Sequence, residues 1–287
     1  MLGLEFCFVR DTVRNINQHF WSSKGIPFLT IRTTQNSTQS YKAHCHSELS
    51  IGIIESGTTQ LTLLNNEMML EKADIVLIEP NVVHSCNPLQ GQPRSYHMLY
   101  IDNTWCCHFL SKLYGYEIKK YDSQHNLLPA LDNEIKLSEL IHTVLNQDNE
   151  ETASRLERQV FNLVSRYCSP ILEHKDESHL ASELKTRLLQ DITQAPSLDV
   201  IAKELGKPAE TLIRCFKKHY GITPKSFLNN NRIEQAKILL RQGMSIVDVS
   251  AEVGFSDQSQ LHRTFVNYTA STPRQYQQGT SIFDNIP

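Results

Sequence analysis

The last third of this chain repeats one short sequence pattern, and this internal repeat constrains the fold more than any other feature. The first copy occupies residues 197–227 and the second occupies residues 245–276. The opening serine and the following glycine recur 48 positions apart, whereas the later leucine, arginine, phenylalanine and proline recur 49 positions apart. One extra residue in the second turn explains the difference. A fixed internal period indicates that the chain builds one structural unit twice.

Each copy has the pattern of a helix-turn-helix unit. Ser197 and Ser245 stand just before apolar residues at helical spacing, where serine caps a helix. Gly206 and Gly254 follow, and glycine ends a helix because it accepts left-handed backbone. A second helix would pack through a leucine and a phenylalanine four positions apart, which leaves its opposite face free for the DNA major groove. Two hairpins that only pack together are the alternative, although two copies are too few for a solenoid.

A longer series of residue types in the same region follows a recognisable pattern. It comprises Arg232, Ala236, Leu239, Leu240, Ile246, Val249, residues 253–259, Arg263, Phe265, Thr272, Pro273 and Tyr276. Over residues 178–278 the chain therefore resembles the AraC/XylS family of bacterial transcription regulators. It departs from that family at Ser250, Leu261, Val266 and Ala270, where Ala, Phe, Lys and Gly are usual. The resemblance implies a sequence-specific DNA-binding regulator, and the missing lysine at position 266 removes one phosphate contact.

Residues 226–242 are predicted to form one helix that bridges the two units. If the recognition helices then lie about 34 Å apart, they meet successive turns of the major groove on one face of the duplex. The residues expected to face DNA are Glu210, Thr211, Arg214 and Lys217 on the first recognition helix and Gln258, Ser259, Gln260, His262 and Arg263 on the second. Arginine suits guanine, glutamine suits adenine, and glutamate can accept from cytosine. Arg214 and Arg263 could instead form salt bridges within the domain.

The charge of the chain only weakly favours this role. The formal net charge is −3 and the pI is about 6.5, which is unusual for a DNA-binding protein. Residues 177–287 contain 13 Lys and Arg against 11 Asp and Glu, so the positive excess lies in the half that needs it. So small an excess predicts DNA binding that depends on specific contacts and weakens steeply with salt.

Length and cysteine content describe the chain more broadly. With 287 residues, two domains are expected. The sequence shows neither a signal peptide nor an apolar run of about 20 residues, so a cytoplasmic protein without a membrane partner is predicted. The seven scattered cysteines fit reduced thiols rather than a disulfide framework.

Residues 27–101 alternate short strand patterns with turn residues. The predicted strands are 28–33, 49–55, 59–64, 67–70, 74–78 and 96–101, with turns at 56–57 and 65–66. Many short strands at this spacing favour a small barrel or jelly roll. The placement of His44, His46, Glu48 and His84 resembles the cupin barrel that serves as the effector domain in many AraC-type regulators. This resemblance implies an all-β, cupin-like N-terminal domain.

A pocket for a small-molecule effector is expected inside this barrel. The residues predicted to line it are Arg32, His44, His46, Glu48, His84, Tyr96 and Tyr100. Arg32 could pair with a carboxylate of the effector, or it could be a surface residue on an edge strand. The tyrosines could equally belong to the core. Phe20 and Trp21, which precede the barrel, are predicted to fold over its mouth as a lid.

The same histidines leave a metal- or redox-responsive regulator open as an alternative. His44 and His46 share a face if this segment is extended, and with His84 and Cys86 they could hold zinc or another transition metal. Enzymatic cupins also place a glutamate a few residues after the second histidine, where this chain has serine and isoleucine. No Ser-His-Asp set, phosphate loop or nucleotide fingerprint is present in the sequence. We therefore expect neither an enzyme nor an obligatory cofactor.

Two amphipathic helices are predicted between the barrel and the repeat, at 133–146 and 151–168. This hairpin could form the interface of a homodimer, or it could only cap the barrel. We expect a multidomain chain with an effector barrel at 1–131, the hairpin and linker at 132–176, and an all-α DNA-binding domain at 177–287. The expected partners are double-stranded DNA, a small-molecule effector and RNA polymerase, the last through Asp248 and Glu252. Activation is the commoner mode in the family.

Overall fold

Antiparallel strands form the N-terminal half, as the alternating sequence pattern predicts. The computed structural model describes residues 17–23, 25–63, 66–130, 136–147, 149–171 and 178–281. The strands are β1 (Asn17–Ser23), β2 (Ile26–Ser37), β3 (Leu49–Ser56), β4 (Thr59–Leu63), β5 (Asn66–Leu70), β6 (Ile75–Ile78), β7 (His84–Pro88), β8 (Arg94–Ile101), β9 (Tyr121–Ser123), β10 (Leu127–Leu128) and β11 (Cys168–Pro170). One sheet has the order β1-β2-β8-β3-β6-β10, a second has the order β5-β4-β7, and β9 pairs with β11. Residues 64 and 65, part of a predicted strand and turn, lie outside the described residues.

The two faces of the large sheet have different partners, because successive side chains of a strand point to opposite sides. On β3, Leu49, Ile51 and Ile53 pack with the helices that follow the barrel strands. Ile54 of β3 and Met98 of β8 instead pack with the small sheet. The second face therefore forms the barrel interior, and the even-numbered residues of β8 belong to it.

Three helices cover the outer face of the large sheet: α1 (Asn103–Tyr114), α2 (Leu137–Asn146) and α3 (Glu150–Tyr167). The buried residues of α2 and α3 join the core of the sheet, so the predicted hairpin packs on the barrel. The predicted start of its first helix, at residue 133, lies outside the described residues. The sequence-based predictions did not include α1, whose N-cap Asp102 accepts a hydrogen bond from the backbone N–H of Trp105 at 2.8 Å.

The segment that contains Phe20 and Trp21 is the first strand of the barrel, so the prediction of a separate lid is wrong. β1 pairs with β2 over its whole length. Trp21 is 8% exposed and belongs to the core beneath the helices, whereas Phe20 packs edge-on against Tyr276 with ring centroids 5.6 Å apart. Because β1 lies outside β2, Arg32 stands on an inner strand rather than on an edge strand.

Seven helices form the described part of the C-terminal half. They are α4 (His179–Gln190), α5 (Leu198–Glu204), α6 (Ala209–Tyr220), α7 (Pro224–Arg241), α8 (Ile246–Glu252), α9 (Gln258–Thr269) and α10 (Pro273–Ser281). The side chains of Ser197 and Ser245 cap α5 and α8, where they accept hydrogen bonds from the backbone N–H groups of Val200 and Asp248. The two predicted helix-turn-helix units, α5–α6 and α8–α9, are confirmed, and α7 joins them.

Each helix-turn-helix unit has its own apolar core. Leu184 and Leu188 of α4, a helix that was not predicted, pack with Leu212 and Phe216 in the first unit. Phe265 belongs to the core of the second unit. The domain boundaries predicted at 131/132 and 176/177 lie outside the described residues. Within the described ranges, no helix combines the length and apolar character needed to cross a membrane.

The barrel and the helical half are in direct contact. The side chain of Asn230 on α7 accepts a hydrogen bond from the backbone N–H of Cys45 at 3.1 Å and donates one to its carbonyl at 3.0 Å. Cys45 and Val83 also pack with Ile222, which lies between α6 and α7. The segment before β3 therefore docks on the helix that joins the two helix-turn-helix units.

Candidate effector-binding site and DNA-binding surface

A cavity of about 350 Å³ lies between the barrel sheets and extends to the helical half. All seven predicted effector residues line it: Arg32, His44, His46, Glu48, His84, Tyr96 and Tyr100. The rest of its wall includes Phe20, Ile54, Leu70, Val76 and Met98 from the barrel and Lys237, Arg241, Tyr268, Thr269, Ser271 and Tyr276 from the helices. A concave, largely apolar wall with a few polar groups is typical of a small-molecule site.

Arg32 is a buried cation in the cavity wall, with only 6% of its surface exposed. One terminal nitrogen donates to the carbonyl of Thr269 at 2.9 Å, and the other donates to Tyr41 and to the hydroxyl of Tyr96. Its Nε has no hydrogen-bond acceptor among the described residues. Burial opposes the charge, but Tyr100, Tyr41 and Tyr96 offset it and hold the pKa of Arg32 above its ordinary value.

Arg94, at the start of β8, is a second buried cation. It donates to Thr59 Oγ1 at 2.9 Å and to the carbonyl of Cys86 at 2.6 Å, and its Nε also has no acceptor in the described part of the chain. Burial alone would raise the pKa of Tyr96, but Arg32 and Arg94 outweigh burial and lower it. Burial dominates at the neighbouring Tyr41 and Tyr100 and raises their pKa, so the shift at Tyr96 reports the two guanidinium groups beside it.

Lys237 of α7 brings a third buried cation to the cavity from the helical half. Its Nζ lies 2.6 Å from Oε1 of Glu234. Burial opposes the charge on the ammonium group, but Glu234 offsets it and raises the pKa of Lys237 above its ordinary value. The sequence-based predictions missed Arg94 and Lys237. The position of Lys237 between Ala236 and Leu239, on the buried face of a predicted helix, is the signal that could have revealed it.

His44, His46 and His84 form a compact buried cluster, with ring centroids 4.6 to 5.1 Å apart. Nδ1 of His44 lies 2.6 Å from the carbonyl of Lys42, and Nδ1 of His84 lies 2.9 Å from the carbonyl of Val82. Because a carbonyl only accepts, both Nδ1 atoms carry the hydrogen, and each Nε2 keeps a lone pair. Burial lowers the pKa of all three histidines, that of His84 to about 4.

This cluster has the donor chemistry of a transition-metal site. One ligand atom from each histidine lies within 4.8 Å of the other two. Neutral imidazoles whose other nitrogen donates to a carbonyl, as in His44 and His84, are typical metal ligands. Together with His46 they would leave a fourth coordination position open. Cys86, the fourth predicted ligand, lines the cavity but lies outside the group of three, and burial raises the pKa of its thiol.

The nine residues predicted to face DNA lie on α6 and α9, the second helices of the two units. Glu210, Arg214, Lys217, Gln258, Ser259, Gln260 and Arg263 are exposed, whereas Thr211 and His262 are half-buried. Among the described residues, no carboxylate lies within ion-pair distance of Arg214 or Arg263. Oε1 of Gln260 accepts a hydrogen bond from the backbone N–H of Ser256 at 2.9 Å. The side-chain Nε2 of Gln260 is therefore the group available to donate to a DNA base.

A barrel with a ligand-sized, positively charged cavity, joined to two helix-turn-helix units, defines a ligand-binding transcription regulator. The family model described as an AraC-like ligand binding domain matches residues 29–189, and a helix-turn-helix domain model matches residues 201–279. The chain belongs to the AraC family of transcription regulators. The predicted function, a DNA-binding regulator with an N-terminal effector domain, is thereby confirmed.

Individual relatives agree with this membership. The HTH-type transcriptional regulator YbfI of Bacillus subtilis is 29% identical over 233 residues, which cover 78% of this chain and 82% of that protein. The activator RhaS of Escherichia coli is 26% identical over 172 residues, or 58% of this chain and 53% of that protein. ToxT of Vibrio cholerae, in a crystal structure with (E)-4-(8-methylnaphthalen-1-yl)but-3-enoic acid, has a TM-score of 0.52 and 17% identity and covers 92% and 98% of the two chains. That likeness shows the fold.

Proposed function

We propose that the effector of this regulator is a small organic carboxylate and that the cavity binds it to control promoter binding. The observation that carries the proposal is the pair of buried guanidinium groups, Arg32 and Arg94, each with an Nε that lacks a partner in the described part of the chain. A guanidinium matches a carboxylate in shape and charge, and such charge-assisted bonds are among the stronger ones in proteins. Lys237 adds a cation from the helical half.

The apolar part of the wall suits a hydrocarbon body on this acid. Phe20, Leu70, Val76 and Met98 border the same cavity as the cations. Two crystal structures of ToxT support the proposal, one with a naphthalenyl butenoic acid and one with an unsaturated fatty acid. Both ligands join one carboxyl group to an apolar body. The seven predicted effector residues, together with Arg94 and Lys237, are therefore the proposed binding site.

The cavity offers a direct route from the effector to the DNA-binding surface. Arg32 donates to the carbonyl of Thr269, and the backbone N–H of Lys42 donates to the carbonyl of Asn267 at 3.0 Å. Both acceptors lie in the last turn of α9, the second recognition helix. A ligand that contacts both halves binds their docked and undocked arrangements with different affinity, and that difference shifts the equilibrium between them.

The nine predicted residues on α6 and α9 are the proposed DNA contacts. Arg214, Gln258 and Arg263 would read base edges, whereas Lys217, Lys218 and Lys225 would meet phosphates. RNA polymerase remains a proposed partner through Asp248 and Glu252, and a homodimer remains proposed through the α2–α3 hairpin. The three-part division at 1–131, 132–176 and 177–287 and a cytoplasmic location belong to the same proposal.

Binding of oleate and of oleyl alcohol to the full-length chain tests the carboxylate proposal. We expect oleate to bind more tightly than oleyl alcohol. Arg32→Met should weaken oleate binding about 10- to 150-fold, which corresponds to the free energy of one hydrogen bond to a charged group. Lys237→Met should weaken oleate in the same direction. Both variants should bind the alcohol as the unchanged chain does, which controls for a damaged fold. Equal affinity for acid and alcohol in the unchanged chain would contradict the proposal.

A metal-responsive regulator is the second candidate, because His44, His46 and His84 bring three neutral imidazoles together. These histidines would hold the ion, and the ion would take the place of the organic effector as the signal. Operator binding measured in chelator-treated protein separates the two candidates. A switch that follows oleate in metal-free protein supports the carboxylate, whereas a switch that follows zinc and ignores oleate supports the metal.

A further inference from the structure

A second group of metal-binding side chains lies outside the cavity, where the α2–α3 hairpin meets the barrel. It consists of Glu55 on β3, His97 on β8 and His142 on α2. We propose that these three side chains bind a divalent transition-metal ion of the zinc class and so join the hairpin to the barrel. This site is independent of the proposed effector, because none of the three residues lines the cavity.

The distances within the group suit metal ligands better than hydrogen bonds. Nε2 of His97 lies 3.4 Å from Oε1 of Glu55, and Nε2 of His142 lies 3.3 Å from Oε2. A good N–H···O hydrogen bond is shorter, at about 2.9 to 3.0 Å. Metal bonds of about 2.0 to 2.1 Å in a tetrahedral site place neighbouring ligand atoms about 3.3 to 3.4 Å apart. All three ligand atoms lie within 4.8 Å of one another, so small side-chain movements would close the site.

His97 supplies an independent sign that a ligand is needed here. Its side chain is 1% exposed, and its Nε2, which faces Glu55, has no hydrogen-bond partner among the described residues. A buried polar atom left without a partner is costly, and a metal ion would satisfy it. The other ring nitrogen, Nδ1, lies 2.9 Å from Oγ1 of Thr33. A hydrogen bond to the second nitrogen is what orients a metal-binding histidine.

The donor set indicates which ions the site would take. Two imidazoles and one carboxylate favour zinc and related transition metals, whereas calcium and magnesium prefer oxygen ligands alone. His142 is 51% exposed, so the ion and a water ligand can reach the site from solvent. Ser138, also on α2, donates to the carboxylate of Glu55 and holds it towards the hairpin.

Zinc titration of the metal-free, full-length chain against a chromophoric chelator tests the site. The variants are His142→Ala, Glu55→Gln, Thr33→Val, His46→Ala and, as a matched control, His108→Ala, which removes an exposed histidine of α1 that belongs to neither cluster. We expect one zinc per chain at this site. Thr33→Val should weaken zinc binding about 10- to 100-fold, the usual cost of losing the hydrogen bond that orients a metal-binding histidine. His142→Ala and Glu55→Gln each remove a ligand and should weaken zinc binding at least as much.

The same variants distinguish zinc bound at the junction from zinc bound by the histidine cluster of the cavity. Zinc at the junction should survive in His46→Ala and His108→Ala, and it should raise the melting temperature of His46→Ala but not that of the double variant His46→Ala/His142→Ala, in which both clusters are broken. Zinc binding that His142→Ala and Glu55→Gln leave unchanged, or that only His46→Ala removes, would overturn the proposal. So would a chain that binds no zinc. None of these results bears on whether oleate binds.

Discussion

Single residues decide the charge of the cavity. Arg32 and Arg94 are held by tyrosines, a threonine and backbone carbonyls, so their positive charges are not cancelled inside the described structure. Lys237 differs, since Glu234 pairs with it at 2.6 Å. An anionic ligand would therefore meet two buried guanidinium groups whose charge is free to bind it. Under the carboxylate proposal, the same charges would disfavour a cationic ligand.

Arg263 is the residue for which the DNA-binding proposal makes its sharpest prediction. Arg263→Ala should cost about 1 to 3 kcal/mol of affinity for the operator, if the guanidinium pairs with a base edge. Affinities for an operator selected from random duplexes and for non-specific DNA would be measured at one salt concentration. Arg274→Ala is the control, because it removes an exposed arginine of α10 outside both recognition helices. A loss equal on both DNAs would assign Arg263 to phosphate contact instead.

At the scale of elements, the two helix-turn-helix units share a sequence pattern but differ in packing. Gly206 and Gly254 end the first helix of each unit with positive φ values of 59° and 82°. A Cβ added at Gly206 would meet nothing within 4 Å, whereas one at Gly254 would lie 2.4 Å from the carbonyl oxygen of Thr193. The second turn is therefore tightly packed against the α4–α5 connection.

This difference predicts unequal effects of the same substitution. Gly206→Ala should destabilise the chain by about 1 to 2 kcal/mol, the cost of a left-handed conformation in a residue with a side chain. Gly254→Ala carries the same cost and must also displace backbone, so its unfolding midpoint in urea should be lower. Equal midpoints for the two variants would show that the turn relaxes away from Thr193 without cost.

At the scale of the whole molecule, polar contacts join the barrel to the helical half. Asn230 makes two hydrogen bonds to the backbone of Cys45, and Arg32 donates to Thr269. The apolar contacts, around Ile222 and between the rings of Phe20 and Tyr276, are small. Polar interfaces of this kind between domains suit reversible docking. The hydrogen bonds of Asn230 are therefore the place to weaken docking without altering either core.

Asn230→Ala should loosen the two halves, because it leaves the buried N–H and carbonyl of Cys45 without partners. Unpaired groups of this kind cost about 1 to 3 kcal/mol each. Amide hydrogen exchange at Cys45 should accelerate, and oleate should slow it again if the ligand joins both halves. Asn231→Ala is the control, because that side chain donates to the carbonyl of Phe227 within its own helix. Unchanged protection of Cys45 in Asn230→Ala would argue against this role of Asn230.

Local patterns predicted most of the elements that carry the function, including both helix-turn-helix units. Period-two alternation places Arg32, Tyr96 and Tyr100 on the cavity face of their strands. His44 and His46 lie instead in the segment between β2 and β3, where an isolated bridge pairs His44 with His84. Serine caps and glycine stops predicted both helix-turn-helix units. These signals act over a few residues, where backbone geometry alone sets the direction of each side chain. The strands β1 and β7 and the helices α1 and α4 were not predicted; residues 84–88 of β7, for example, show no alternation of apolar side chains.

Only the tertiary structure showed which distant residues share a site. Lys237 reaches the cavity because α7 docks on the segment before β3, where Asn230 bonds to Cys45, 185 residues earlier in the chain. Glu55, His97 and His142 come from two strands and a helix whose sequence spacing has no regular period. Their proximity depends on how sheets and helices pack, and packing is decided by summed burial over the whole chain rather than by any local pattern. The sequence by itself therefore determined the family, the two helix-turn-helix units and the inward face of the barrel. The packing of the two halves decided the rest of the cavity, and the packing of the α2–α3 hairpin on the barrel decided the junction site.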